Sequence, residues 1–433
     1  MIELLRAALE PHRHRPRWWL AYSGGVDSHA LLHAVASLRE RTTFPPLHAI
    51  HVNHQLNPRA AEWAAHCHAV CAALGIELQV AVVDVIENGA GIEAAARSAR
   101  YAAFERAMGP DELLLQAHHR DDQVETLLLR LLRGSGIAGL AAIPAQRALG
   151  AGQLLRPLLD CTRAQLRDYA DRHELRWIDD DSNDSVRFDR NFLRLAVLPQ
   201  LAARWPAYRE TLTRATVQAA DAVLLLDDLA AEDLLRCVAP AGALAVAGCL
   251  QLAEARRHHL LRHWLRTRGL PQPSREQLLQ VAAILSARAD AEPCVRWPGA
   301  EVHRFRGCLH AFPPLPPLPD HRVEPPLTAP GAITLPGMGS LHVSAVTGYG
   351  LRADRDYRIG SRRPGLRCRP HGRAHSQTLK KLLQEYDVPV WLRDRLPLLF
   401  CGDELAAVAD LWLCEGFQAQ PQQDGWMLRW SLA

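Results

Sequence analysis

Short apolar runs at Trp18–Tyr22, Leu47–Val52, Ile76–Val85 and Glu112–Ala117 alternate with stretches at Ser28–Glu40, Pro58–Leu74, Ile92–Met108 and Arg120–Leu132 whose apolar positions recur every three or four residues. The first kind of run reads as buried strand and the second as amphipathic helix. Repeated β/α alternation calls for an α/β fold, a parallel sheet covered by helices, with ligands expected at the carboxyl ends of its strands.

From Ala207 to Leu285 the pattern becomes Ala/Leu/Arg-rich helical periodicity with a break at Pro271-Gln-Pro273, which predicts an all-α middle domain. The proline-dense stretch from Pro313 to Leu327 favours extended backbone and reads as a linker. Beyond it, AITLPGMGSLHVSA predicts two short strands around a Gly turn, followed by a helix near Gln377–Tyr386 and a hairpin-like run at Leu398–Leu413, together a small α+β domain. The expected division is 1–205, 206–312, a linker at 313–328, and 329–433.

With 433 residues, 48% hydrophobic and 22% charged, the chain is long and apolar enough for two or three cores, and disordered or fibrous readings fall away. No run approaches the ~18 uncharged apolar residues of a membrane span. The N-terminus has acids ahead of its first basic cluster and no small-residue cleavage site, so a cytoplasmic protein with no membrane partner is expected. The ten cysteines form no CxxC pair and read as reduced thiols. The net charge of +3 conceals one uneven region, Ser361–Lys381, with five Arg, two Lys and no acid. The seven cations Arg362, Arg363, Arg367, Arg369, Arg373, Lys380 and Lys381 suit several phosphate contacts. With no aromatic between Tyr357 and Tyr386, the segment promises backbone grip rather than base stacking.

The sharpest local signal is Ser23-Gly24-Gly25-Val26-Asp27-Ser28, between the first predicted strand and a helix. Two glycines let the backbone turn and approach a ligand, and the Ser23 and Ser28 hydroxyls and helix N-terminal amides can donate to phosphate oxygens. A carboxylate in such a loop repels phosphate unless a cation lies between, which makes Asp27 a candidate Mg2+ ligand and favours a Mg2+–nucleotide over bare phosphate. The plainer reading is a polar turn with Asp27 or Ser28 capping the helix.

A second constellation, His118-His119-Arg120-Asp121-Asp122-Gln123-Val124-Glu125-Thr126, follows the strand at Glu112–Ala117. On one continuous helix His118, Asp121 or Asp122, and Glu125 would share a face. Such carboxylates could hold Mg2+, bind the cationic ends of an amino acid, or merely complement the helix dipole. His118 could touch a phosphate or move a proton. A zinc site is disfavoured by the absence of thiolates and of a paired His spacing.

SGGVDS resembles the loop of the N-type ATP pyrophosphatases, whose Rossmann-like, HUP-type domain cleaves ATP to AMP and pyrophosphate. HHRDDQVETLLLRLLRGSGIAGL, His51-Val-Asn-His54, EAAARSARY (Glu93 to Tyr101), Arg156-Pro-Leu-Leu159, Trp177-Ile-Asp-Asp-Asp-Ser-Asn183, Asp189-Arg190-Asn191-Phe-Leu-Arg194 and the run Leu379–Trp412 narrow that resemblance to the tRNA(Ile)-lysidine synthetase family. The middle helical region carries no matching motif.

The resemblance implies an ATP-dependent ligase. In that reaction the 2-carbonyl oxygen of the wobble cytidine of an isoleucine tRNA with a CAU anticodon attacks the α-phosphate, and the ε-amine of free L-lysine then displaces AMP. The expected roles are Mg2+ on Asp27, phosphate on Arg190 or Arg97, His118 near the α-phosphate, and Asp122 with Glu125 as lysine pocket and base. Arg97, Arg100 and Arg190 read equally as surface pairs, and His51 and His54 as residues ending a strand. A tRNA cytidine thiolase of the same superfamily, a small-molecule ligase of the same fold, and a tRNA-binding protein with a non-catalytic nucleotide loop are the alternatives. The oligomeric state, a homodimer included, is open.

Overall fold

The computed structural model describes residues 1–86, 91–179, 186–288, 293–319, 325–327 and 330–432, the side chain of Glu93 excepted. Part of the Trp177–Asn183 block and part of the 313–328 stretch therefore lie outside the described residues. The chain forms two compact units, Met1–Leu226 and Asp227–Ala433.

The first unit runs α1 (Ile2–Leu9), β1 (Trp18–Ala21), α2 (Val26–Arg39), β2 (Leu47–Asn53), α3 (Ala60–Ala73), β3 (Glu77–Val82), α4 (Ile92–Ala107), β4 (Leu113–Leu115), α5 (Arg120–Leu132), α6 (Ile137–Leu140), β5 (Gln146–Leu149), β6 (Gly152–Leu155), α7 (Arg163–Arg172), α8 (Asp189–Phe192), α9 (Leu198–Arg204) and α10 (Tyr208–Cys237), the last continuing into the second unit. The sheet order is β3-β2-β1-β4-β6-β5, parallel except for the edge strand β5. The expected strands are present, with Ile76–Val85 shortened to β3 and Glu112–Ala117 to β4. The β5/β6 hairpin was not anticipated, because QRAL has no apolar alternation to announce it.

β1 shows why the sheet is covered on both faces. Alternate side chains point to opposite sides, so Trp18 and Leu20 join Leu5, Leu31 and Val35 in one core. Trp19 joins Phe104, Met108 and Leu154 in the other. Each fully buried Leu or Val there stabilises by roughly 1.5–3 kcal/mol. The strand order reverses between β1 and β4, so the connections leaving them diverge and open a crevice at their carboxyl ends. Both sequence constellations sit there.

In the second unit the middle stretch is helical as expected, with α11 (Val246–Gln251), α12 (Glu254–Thr267) and α13 (Arg275–Ile284), and α12 ends before the Pro271–Pro273 break. The all-α expectation is amended by an added antiparallel sheet of β7 (Leu244–Ala245), β8 (Cys294–Trp297), β9 (Ala300–Phe305) and β10 (Cys308–Phe312), ordered β7-β10-β9-β8. One face of it, with Val295, Trp297, Val302 and Leu309, packs on Leu260, Leu261, Trp264 and Val281 of the helices. Charged and His residues on the other face obscured the strands in sequence.

The remainder is the expected α+β fold. Strands Gly331–Leu335 and Gly339–Thr347 pair around the Gly turn, the helix spans Leu379–Glu385, and Leu398–Cys401 pairs with Glu404–Val408. These elements enclose one core that includes Leu341, Ile359, Leu382, Leu399 and Val408. The proline-rich stretch is partly docked: Leu318 packs on this core, and Arg395 donates to the Pro316 carbonyl at 2.7 Å. All ten cysteines are free thiols, seven of them buried. Among the described residues no helix is long and apolar enough to cross a membrane.

Candidate active site

A cleft of about 640 Å³ opens at the carboxyl ends of β1, β2 and β4, lined among others by Ser23, Gly25, Asp27, Ser28, His118 and Arg194. The loop after β1 is built by its two glycines in different ways. Gly24 has φ +86°, and a Cβ there would lie 2.6 Å from Ile178 Cδ1 and 3.1 Å from Cys67 Sγ, so only Gly fits. Gly25 is the N-cap of α2 at φ −75°. A Cβ on it would meet no protein atom closer than Ser23 Oγ at 3.5 Å, so the space it leaves clear belongs to the cleft.

The loop hydroxyls are engaged internally. Ser28 Oγ accepts from the Ser23 amide at 3.2 Å, lies 3.0 Å from Ser23 Oγ and donates to the Gly25 carbonyl at 3.1 Å. What remains for an anion is the unpaired N-terminal amides of α2 together with its dipole.

Asp27 occupies the first turn of α2, with Oδ2 3.5 Å from His119 Nε2. Its Oδ1 is buried with no hydrogen-bond partner among the described residues. An orphaned carboxylate oxygen beside a phosphate-sized cradle fits a Mg2+ ion, which uses one or two carboxylates and completes its shell with phosphate and water.

His118 precedes α5 rather than lying on it, which corrects the shared-face expectation: His119 is the N-cap. The His119 side chain accepts from the Asp122 amide and the Asp122 carboxylate accepts from the His119 amide, a capping box. His119 is 1% exposed. Burial acts to lower its pKa, but the Asp27 hydrogen bond and the charges of Asp122, Asp27 and Asp121 raise it above the ordinary value. His118 behaves oppositely. Burial, with Arg156, Arg190 and Arg97 nearby, brings it down to about 4 against the pull of Asp122. Arg156 Nε donates to His118 Nδ1 at 3.2 Å, which leaves the proton on Nε2. His118 is therefore a neutral donor with part of its ring open to the cleft.

Asp122 retains 13% of its side-chain surface, and Glu125 only 1%. Burial acts to raise the Asp122 pKa, but the His119 charge, the His119 amide and Arg190 hold it below the usual carboxylate range. Burial pushes the Glu125 carboxyl up despite its fork with Arg194, whose Nε and Nη2 reach the two oxygens at 2.7 and 3.0 Å. Glu125 is thus clamped rather than open. Arg190 Nη2 donates to Thr126 Oγ1 at 3.2 Å, and its Nε lies 3.6 Å from Glu125 Oε2, buried without a hydrogen bond. Arg97 stands over the Tyr101 ring, 5.2 Å from the centroid. Neither Arg97 nor Arg190 lines the cleft; Arg100 and Arg194 do.

Three residues without an assigned role in the sequence reading prove central to the geometry, His119, Arg156 and Arg194, together with Asp121, whose carboxylate is engaged within the protein. Asp121 accepts from the Arg163 amide and from Arg209 Nε at 2.5 Å, fixing α5 to α7 and α10. The adjacent capping signature H-x-x-D was the available signal for His119. Arg194 and Arg156 had none beyond their place in the quoted motifs. Tyr22 O lies 3.0 Å from His51 Nδ1, so His51 is a satisfied strand histidine.

The basic segment is less bare than its sequence. Arg362 pairs with Asp394 at 3.2 Å, Arg373 with Glu385, Lys381 with Glu385 at 4.0 Å, and Arg367 donates to the Ser376 carbonyl. Arg363 stands over Phe400. Among the described residues Arg369 and Lys380 carry no ion pair.

Residues 2–201 match the PP-loop domain, 244–310 the TilS substrate binding domain and 357–430 the TilS substrate C-terminal domain. The tRNA(Ile)-lysidine synthase of Alkalilimnicola ehrlichii is 44% identical over 410 residues, 93% of this chain and 91% of that one. That of Serratia proteamaculans is 42% identical over 430 residues, covering 98% and 97%, and that of Coxiella burnetii 41% over 415, covering 94% and 91%. A loop built for phosphate at the sheet's switch point, an acidic constellation facing it and likeness along nearly the whole length lead to one assignment: the chain belongs to the tRNA(Ile)-lysidine synthase family.

Proposed function

We propose that this chain adenylates the 2-carbonyl oxygen of the wobble cytidine of a CAU-anticodon isoleucine tRNA and then joins free L-lysine to that carbon, in the cytoplasm. The observation that carries the reading is the cleft itself, with the anion-binding end of α2 and Asp27 on one side and the His118–Asp122 end of α5 on the other. In the first step the carbonyl oxygen bonds to the α-phosphorus and pyrophosphate leaves. The α2 amides hold phosphate oxygens, and His118 donates from Nε2 to the charge that grows on the α-phosphate. Arg190 and Arg97 do not line the cleft and aid phosphate binding through their positive charge. Asp27 would hold Mg2+, which when bound would supply neutralisation of the phosphate charge.

In the second step the ε-nitrogen attacks C2 and the C2–O bond to AMP breaks, so the ammonium must first lose a proton. Asp122, held ionised, suits the lysine ammonium. Glu125 acts one layer back by fixing Arg194, which lines the cleft. The cations Arg362, Arg363, Arg367, Arg369, Arg373, Lys380 and Lys381 grip tRNA phosphates.

The deciding assay combines protein, ATP, Mg2+, radiolabelled lysine and the tRNA transcript. Label that stays on tRNA through mild alkaline deacylation, with AMP release, is the expected result. AMP release without lysine incorporation overturns the lysine assignment, and no reaction with retained tRNA binding favours a non-catalytic nucleotide loop.

A further inference from the structure

The outer face of the middle sheet carries a cluster that the reaction does not use. Cys294 on β8 is registered against His303 on β9, and Arg296 against Glu301, so all four side chains share one face. His303 is 6% exposed, stacked on Phe312 at 5.1 Å with an interplanar angle of 11°, and covered by Trp391 at 4.7 Å. The orientation of its ring is therefore set by packing. Its Nε2 lies 2.8 Å from Glu301 Oε2 and 3.3 Å from Cys294 Sγ.

Hydrogen bonding satisfies only half of that arrangement. A ring nitrogen offers either one proton or one lone pair. Arg296 lies 3.2 Å from Glu301 Oε1. With the Nε2 proton given to Glu301 Oε2 at 2.8 Å, the thiol at 3.3 Å faces a nitrogen that cannot accept from it. A cation among the three accounts for every contact, since the ligand atoms Sγ, Nε2 and a carboxylate oxygen lie within 4.8 Å of one another.

We infer that Cys294, Glu301 and His303 form a binding site for a borderline-soft divalent ion of the zinc type. The donor set is one thiolate, one imidazole and one carboxylate, which suits tetrahedral coordination with a water in the fourth position and is foreign to Mg2+. Bond lengths of about 2.3 Å to sulfur and about 2.0 Å to nitrogen and oxygen require the Nε2–Oε2 pair to open slightly. On binding, the Cys294 thiol gives its proton to solvent and the His303 proton resides on Nδ1, while the metal keeps its oxidation state. Arg296, on Glu301 Oε1, leaves Oε2 for the ion and orients it. The ion staples β8 to β9 beneath Trp391.

The test uses the full chain, chelator-treated, with Co2+ as a spectroscopic probe and Zn2+ as competitor. Wild type is expected to give the visible bands of tetrahedral cobalt with a thiolate-to-cobalt charge-transfer band, both erased by one equivalent of Zn2+ and untouched by excess Mg2+. Cys294→Ser should lose the charge-transfer band, and Glu301→Gln should weaken Zn2+ binding by about tenfold or more. Both residues sit on the sheet's outer face, and circular dichroism checks that the variants fold. Absence of the thiolate band in wild type, or an equal band in Cys294→Ser, overturns the assignment. Added Zn2+ should also raise the thermal midpoint of wild type but not of Cys294→Ser.

Discussion

The acidic cluster on α5 and the basic segment near the C-terminus are both dense in charge, and they use it in opposite ways. On α5, Glu125 is 1% exposed and forked by Arg194, and the neighbouring histidines are driven in opposite directions from their ordinary pKa. In the basic segment Arg373 is 37% and Lys381 64% exposed, and both share the one carboxylate of Glu385 at the protein surface. Buried charges with fixed partners govern geometry and protonation, because little water screens them. Exposed ones contribute little to stability but sum to a salt-dependent attraction for a polyanion.

Among substitutions the largest effect belongs to Asp27. Asp27→Asn is expected to lower lysine incorporation by about a thousandfold or more while tRNA affinity stays within about twofold. Incorporation and filter-binding assays on the same variant check both halves. Arg194→Met should destabilise the protein by about 3–5 kcal/mol, since it strips both hydrogen bonds from a buried carboxylate and leaves only the Arg190 guanidinium 3.6 Å away. Adding Glu125→Leu should restore much of that loss in urea denaturation, and no restoration would show that the fork is not what holds this region. Gly24→Ala, forced against Ile178 at a positive φ, should cost about 1–3 kcal/mol on the same measurement.

In the basic segment the expected effects are smaller and sensitive to salt. Arg369→Ala with Lys380→Ala should weaken tRNA binding and reduce the slope of log affinity against log salt by about 0.7–0.9 per lost contact, with denaturation midpoints unchanged. Arg373→Ala should do less, because Glu385 already neutralises it. A midpoint shift in the first variant would mean that these cations are structural after all.

The mildest test is pH. His29, His54 and His118 are all brought down to about 4, chiefly by burial. Between roughly pH 6.5 and pH 4 the unfolded chain therefore binds more protons at these three histidines than the folded one, so their contribution makes stability fall as pH drops through that window and adds no slope above it. Urea midpoints across the range check the sign, and His29→Gln should flatten part of the slope.

Much of the nucleotide-binding unit was legible because its signals are local. Arg120–Leu132 was delimited to the residue by its periodicity, and SGGVDS gave its loop through Gly and helix-cap chemistry. The β5/β6 hairpin and the β7–β10 sheet were not, because strands of two to six residues with His, Arg or Gln on alternate positions carry too little apolar contrast. The basic segment looked unopposed because its acids, Asp394, Glu385 and Glu415, stand outside it in sequence.

The site divides along the same line. Residues a few positions apart encode the phosphate-binding turn before α2, the acids that open α5 and the alternation of β and α. Long-range packing instead brings His119 rather than His118 to Asp27, lets Arg156 set the tautomer of His118, and closes Arg194, 69 residues away, on Glu125. Those pairings are set by how β1 and β4 lie side by side and by which face of each helix the two cores bury, and no short-range preference encodes either.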